Sequence, residues 1–376
     1  MKIIKRAIQD RIESKLFKKK AIILYGVRQV GKTTLIKEIQ KKFFEDSLYL
    51  NCDEPDIREF FTDVTSTEVK SFIGGKKLIL LDEAQRVKNI GLSLKLIVDN
   101  YPEIQVIATG SSSFDLSNEI IEPLTGRKYE FYLYPFSIKE LLPEYSFQQI
   151  ERILEKRIIL GMYPEVVQSG QNESDALLKN IARSYLYKDV LQYQHIKSPD
   201  ILEKLLQALA LQVGKEVSYN ELASLVGINK KTVENYIQLL EKAFVIFRLR
   251  PFSRNLRKEL TKLRKIYFFD TGIRNALIKN LNPIRLRNDV GELWENFLIS
   301  ERLKNNSNCG KDANVYFWKT HQQQEIDFLE EYSGQLTGYE FKWRAKKVRF
   351  PKSFMQAYPN SKLKAINREN IKDFLS

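Results

Sequence analysis

The chain has 376 residues, 43% hydrophobic and 29% charged, with a formal net charge of +14. That length calls for two or three domains, and the composition is that of a folded, water-soluble protein and not of a fibrous or disordered one. No run approaches the ~18 apolar residues of a membrane span, Met1–Arg6 leads into mixed charge and no apolar signal segment, and Cys52 and Cys309 stand alone and far apart. These features exclude a membrane partner, a disulfide framework and a Cys-based zinc site, and a cytoplasmic location is expected.

Residues 1–20 read as a helix with Ile4, Ile8, Ile12 and Leu16 on one face. From Ala21 the pattern becomes strand and helix in alternation, with strands expected at 21–25, 48–52, 77–81, 104–109 and 129–134. Such alternation implies a parallel sheet with helices on both faces. The first strand runs into Gly26-Val27-Arg28-Gln29-Val30-Gly31-Lys32-Thr33, a complete G-x-x-x-x-G-K-[ST] phosphate loop, and an amphipathic stretch follows from Thr34. Glycines let backbone amides curl around phosphate oxygens, and the helix start adds free N–H groups and a positive dipole end. Gly26, Arg28, Gln29, Val30, Gly31, Lys32, Thr33 and Thr34 are the expected nucleotide-binding set. Lys32 reaches the β- and γ-phosphates, and the Thr33 hydroxyl faces Mg²⁺.

Leu78-Ile79-Leu80-Leu81-Asp82-Glu83 follows about fifty residues later. Four apolar residues make a strand buried on both faces, whose C-terminal end is where open α/β sheets bind ligands. Asp82 is the expected Mg²⁺ ligand, and Glu83 the group that orients and deprotonates water. The strand at 104–109 ends in Thr109-Gly110-Ser111, so Thr109 or Ser111 is a candidate γ-phosphate sensor. Arg127, in Leu124-Thr125-Gly126-Arg127, is a candidate arginine finger, in cis or across the interface of a homo-oligomer. The plain alternatives are a polar loop for the hydroxyls and a structural role for the arginine.

These motifs, with Ala108-Thr109-Gly110-Ser111-Ser112-Ser113 and Gly161-Met162-Tyr163-Pro164-Glu165, occur in an order that resembles the prokaryotic AAA-type ATPases carrying a C-terminal domain of unknown function. Met162 stands where that family has a second glycine. The resemblance covers nearly the whole chain and implies ATP as ligand and its hydrolysis as activity.

Residues 140–198 read as helical. In 200–250, a helix at 201–213, a cap at Ser218, a short helix to Val226, a turn at Gly227, a helix at 230–243 and an alternating run at 244–250 make a winged helix-turn-helix pattern. Lys230, Lys231, Thr232, Asn235 and Tyr236 are expected to face outward, suited to DNA or RNA. Residues 251–290 hold ten Lys/Arg against three acids, which concentrates basic charge for a polyanionic partner. The other reading of this module is a protein-interaction unit or rigid connector.

The C-terminal part reads as a helix from 291, then strands at 315–318, 325–329 and 338–343. Side chains two apart on a strand share a face, so Glu340 and Lys342 point together, and Asp327, with Glu325 beside it, joins them from a paired strand. Asp327 and Glu340, with Glu295 from the helix, are candidate ligands of a second Mg²⁺, and Lys342 a candidate to position water. The arrangement resembles restriction-endonuclease-like folds; a carboxylate–lysine ladder that pairs across strands is the alternative. His195 and His321 read as loop residues. The expected fold is therefore α/β multidomain: a P-loop ATPase domain at 1–140, a helical lid at 141–199, a winged helix at 200–255 and an endonuclease-like domain at 256–376. Its function is expected to be that of a Mg-dependent ATP switch coupled to nucleic-acid binding and cleavage, or else of a nucleotide-gated scaffold with a non-catalytic C-terminal domain.

Overall fold

The computed structural model describes residues 2–110, 123–170, 173–185, 199–253, 264–345 and 347–375. Ser111 and the basic residues between 254 and 263 lie outside the described residues. Two sheets organise the rest. The first has five parallel strands, β1 (Ala21–Gly26), β2 (Ser47–Asn51), β3 (Leu78–Asp82), β4 (Gln105–Gly110) and β5 (Lys128–Leu133), in the spatial order β2-β3-β4-β1-β5. Every residue of β1, β3 and β4 is buried, so both faces of the sheet are covered. The expected strands are all present, displaced by a residue at most ends.

The chain enters at β1, one strand in from the β5 edge, moves to the β2 edge, returns through β3 and β4, and crosses β1 to β5. The crevice at the C-terminal ends of β1, β4 and β3 is therefore the place where the order reverses and loops diverge.

The N-terminal helix is much shorter than its periodicity predicts. It spans Gln9–Glu13, and residues 2–6 lie outside any helix. Ile4, Ile8, Ile12 and Leu16 are nonetheless all buried. The reason is tertiary: Arg6 turns inward and bonds to carbonyls of the first sheet's loops, while Phe17 and Lys19 take positive φ and end any helical continuation.

Helices Phe147–Leu160, Pro164–Gln168 and Ser174–Tyr185 follow, in the stretch that reads as helical. Two further helices are joined by a short turn. Helix Tyr219–Val226 is capped by Ser218, Gly227 turns at φ +77°, and helix Lys230–Lys242 buries Val233, Ile237, Leu239 and Leu240.

The second sheet has seven strands in the order β12-β11-β10-β9-β7-β8-β6. β6 (Glu216–Val217), β7 (Ile246–Pro251) and β8 (Arg264–Phe268) pair antiparallel beside the helix-turn-helix. β9 (Asn314–Lys319), β10 (Glu325–Tyr332), β11 (Gln335–Phe341) and β12 (Lys362–Ile366) form the C-terminal part. β7 pairs with β9 in parallel through Arg250↔Tyr316 and Pro251↔Phe317, so one sheet runs across the expected boundary at residue 255. Helix Val290–Cys309 packs beside both parts of this sheet, against β8 and β11.

Candidate functional site

β1 ends at Gly26 because the loop must pass β5 closely: a Cβ there would lie 2.5 Å from the Leu133 carbonyl oxygen. Gln29 (φ 60°) and Gly31 (φ 94°) take left-handed backbone, which curls the loop before helix Lys32–Gln40 begins. Lys32 is buried, and its Nζ donates to the carbonyls of Gly26 (3.0 Å) and Val27 (3.2 Å), 3.9 Å from Glu83 Oε1.

Asp82 is the hub. Its Oδ2 accepts from Thr33 Oγ1 (2.6 Å) and from the Tyr49 hydroxyl (2.9 Å), and its Oδ1 from Thr109 Oγ1 (2.5 Å). The strand order explains this, because β4 lies between β1 and β3 and delivers Thr109 between the loop and the acidic pair. Thr109 then accepts from the Glu83 N–H at 3.0 Å. It is fully buried, beneath the acidic pair that it bonds. Glu83 itself sits at φ 55°, ψ 40°, unusual for a non-glycine residue, and accepts from Gln85 Nε2 at 2.6 Å. Burial, then the bond to Asp82, raises the Tyr49 pKa well above its ordinary value, so Tyr49 remains a donor.

Two cavities flank the loop. One of about 510 Å³ is lined by Arg28, Thr33, Asn51, Asp82, Glu83 and Arg86. The other, about 670 Å³ and mostly apolar, is walled by Ile3, Ile4, Val30, Gly31, Leu35 and Phe136, with Thr34 and Arg6 on its lining. Arg6 joins this wall to the loop. It donates to the carbonyls of Val30 (2.7 Å) and Tyr134 (2.7 Å) and pairs with Glu140 at 2.8 Å. Burial would raise the Glu140 pKa, but Arg6 and the amides of Ser137 and Ala7 hold it below its ordinary value.

Tyr49, Gln85 and Arg6 were not legible as site residues. Gln85 had one available signal, its place two residues after Glu83, and Tyr49 only its place in an expected strand. Arg6 had none.

Arg127 does not join this site in cis. It precedes β5 at the N-terminal end of the sheet, where its carbonyl accepts from the Ala21 N–H and its guanidinium pairs with Asp99 at 2.6 Å. Gly26 lies opposite Leu133, five residues along the strand from Lys128, or about 17 Å at ~3.3 Å per residue.

At the C-terminal sheet the structure does bring the expected residues together. Lys342 Nζ lies 2.9 Å from Glu340 Oε2 and 3.7 Å from Asp327 Oδ2, and Asp327 Oδ2 accepts the Phe341 N–H at 2.8 Å. Glu295, from helix Val290–Cys309, accepts from Tyr267 Oη at 2.5 Å and pairs with Lys265 at 3.3 Å. Lys265 also pairs directly with Glu325. Burial, with Asp327 as a like-charged neighbour, pushes the Glu295 and Glu340 carboxyls up to about 7. Lys265, Tyr267 and Lys319 were not anticipated here; they come from other strands and carry no local motif. Among the described residues no group of three His, Cys, Asp or Glu side chains is placed to hold a metal ion. The expected carboxylates Asp327, Glu340 and Glu295 are met here by Lys342 and Lys265. On helix Lys230–Lys242, Lys230, Lys231 and Asn235 are exposed, and Thr232 and Tyr236 are half-buried.

Three family models match the chain: an AAA domain over residues 18–142, a domain of unknown function (DUF8612) over 151–283, and another (DUF4143) over 290–371. An uncharacterized protein of Methanocaldococcus jannaschii is 26% identical over 351 residues, covering 88% of this chain and 76% of that protein. One from Mycobacterium tuberculosis is 26% identical over 347 residues, covering 91% of this chain and 74% of its own length. Among solved structures, the Walker-type ATPase of Pyrococcus abyssi superposes with a TM-score of 0.50 at 16% identity, covering 73% of this chain and 96% of that one, which is a likeness of fold. No helix among the described residues is long and apolar enough to cross a membrane.

Proposed function

We propose that this chain, whose residues 18–142 are a P-loop ATPase domain of the AAA type, binds ATP with Mg²⁺ and hydrolyses it as a switch for a nucleic-acid-binding module. The observation that carries the first part is the direct bond from Thr33 to Asp82 beneath a loop held open by left-handed Gln29 and Gly31. The loop amides and Lys32 hold the phosphates, with Lys32 exchanging the Gly26 and Val27 carbonyls for phosphate oxygens. The apolar cavity behind Val30 and Gly31 takes the base, and Ile3, Ile4 and Phe136 pack on it. Thr33 and Asp82 are the residues that would hold Mg²⁺, which would supply neutralising charge beside the phosphates. Glu83, steadied by Gln85, orients the attacking water and accepts its proton. Thr109 and Tyr49 fix the carboxylate of Asp82. Arg28 and Arg86 line the same cavity and bring positive charge to its mouth.

Lys32→Ala is expected to abolish ATP binding, and Glu83→Gln to keep binding while lowering turnover by about 10²–10⁴-fold, measured as ADP release and by equilibrium binding. Wild-type turnover in Lys32→Ala overturns the assignment.

The switched module is the helix-turn-helix. Exposed Lys230, Lys231 and Asn235 on its second helix, and the surplus of Lys/Arg in 251–290, support a nucleic-acid partner. Its affinity for duplex DNA should fall steeply with salt, with a slope reduced by about 0.9 for each lysine of the pair replaced by alanine. Association that is indifferent to salt sinks this half and favours a protein-binding scaffold.

A further inference from the structure

The resemblance to endonuclease-like folds assigns Asp327, Glu340 and Glu295 to a divalent cation, yet the positive charge among these carboxylates belongs to the protein. Lys265 is only 3% exposed, lies 3.3 Å from Glu295 Oε1 and pairs directly with Glu325. Tyr267, two residues on and therefore on the same face of β8, donates to the same Glu295 oxygen. Lys342 spans Glu340 and Asp327, and the Phe341 amide takes Asp327 Oδ2. Each of the three expected ligands is thus already met by an ammonium or an N–H or O–H donor. Mg²⁺ is usually held by one or two carboxylates with several waters at about 2.0–2.1 Å, so an ammonium seated among the carboxylates competes with it for the same oxygens. A buried ammonium persists only where carboxylates surround it, and Lys265 is held in that way.

The origin of Lys265 gives the cluster its meaning. β8 belongs to the wing, pairing with β6 through Lys265↔Glu216 and with β7 through Lys265↔Leu249. Glu295 comes from helix Val290–Cys309, Glu325 and Asp327 from β10, and Glu340 from β11.

We propose that Lys265, paired with Glu295 and Glu325, is the fixed cation of this cluster and supplies the positive charge that a divalent metal would otherwise bring to it. The cluster is then a metal-independent clasp that ties the wing to the C-terminal sheet, and this chain does not cut phosphodiesters. The inference stands apart from the ATPase reading, since it uses none of the nucleotide-binding residues.

The test is Mn²⁺ binding by the full chain without nucleotide, read by room-temperature electron paramagnetic resonance in wild type, Asp327→Asn, Lys265→Gln and the double variant. Wild type and Asp327→Asn should bind Mn²⁺ alike, within twofold. Lys265→Gln should gain one Mn²⁺, which adding Asp327→Asn removes. The proposal is overturned if Asp327→Asn strips a bound Mn²⁺ from the otherwise wild-type chain, or if folded Lys265→Gln gains none. Should Lys265→Gln fail to fold, the comparison of wild type with Asp327→Asn decides alone: equal binding upholds the proposal and loss of an ion overturns it. Mg²⁺-dependent plasmid cleavage by wild type that Asp327→Asn abolishes overturns it as well.

Discussion

Arg6 shows how much of a phosphate loop's shape is set from outside the loop. Its guanidinium is almost fully buried and spends its donors on Val30, Tyr134 and Glu140. Glu140 in turn accepts from Ala7 and Ser137, so the pair staples the N-terminal segment to the loop and to the turn after β5. Replacing Arg6 by Met leaves a buried carboxylate unpaired, which costs about 3–5 kcal/mol of stability. The pH dependence follows from the direction of the Glu140 shift. Its pKa is lowered in the folded state, so its contribution is complete above the ordinary carboxylate range and is lost as pH falls through the folded value. Urea unfolding of wild type should therefore lose stability on acidification, and Glu140→Gln should lose less over the same range. Equal acid sensitivity in the two proteins counts against the pair. ATP affinity should also drop in Arg6→Met, because Val30 loses its anchor.

Between elements, the segment Gly161–Glu165 is explained by a close approach. Helix Phe147–Leu160 ends at Gly161, whose φ is +77° and where a Cβ would lie 2.0 Å from Asp270 Oδ1. Asp270 accepts the Met162 N–H at 2.7 Å and the Ile273 N–H at 3.2 Å, capping helix Thr271–Leu277 while holding the end of the lid helix. Asn275 donates back to the Ile159 carbonyl at 2.9 Å. Gly161→Ala combines backbone strain with displacement of a buried carboxylate, so thermal unfolding should show a loss of at least about 2 kcal/mol. A neutral result would mean that the lid helix and helix Thr271–Leu277 do not approach as described. The same motif was legible in the sequence as a family signature, but its partner Asp270 lies more than a hundred residues away and nothing local points to it. The N-terminal helix errs in the opposite sense: its spacing of isoleucines marks burial correctly, and the helix is cut short because Arg6 bonds across the fold.

The whole molecule is more continuous than its motifs suggest. Helix Val290–Cys309 reaches the ATPase domain through Glu301, which accepts the Ile138 N–H at 2.6 Å, and Lys304, which donates to the Phe136 carbonyl at 3.1 Å. Its earlier turn carries Glu295 into the clasp with Lys265. Strand β7 has β8 on one side and β9 on the other, both beyond residue 255. A fragment ending at residue 255 strips β7 of both partners and exposes two hydrogen-bonding edges. It should be recovered as an aggregate or lack cooperative unfolding by circular dichroism; a soluble, cooperatively folding fragment would show that the wing is autonomous.

The sequence by itself determined the phosphate loop and the acidic end of β3, because the loop, the apolar strand and the Asp82–Glu83 pair are contiguous runs whose spacing is set by local backbone geometry. It also determined the periodicity of the strands, the helix-turn-helix and the convergence of Asp327, Glu340 and Lys342, since alternation along a strand places neighbours on one face. Tertiary structure decided what those groups meet. Tyr49 on Asp82, Arg6 on Val30, Arg127 at the far end of its strand and Lys265 among the carboxylates all depend on strand order and on contacts between distant segments. Spacing along a chain carries no record of such contacts: a buried charge finds its partner through the path of the fold, and that path is set by the packing of whole sheets and helices.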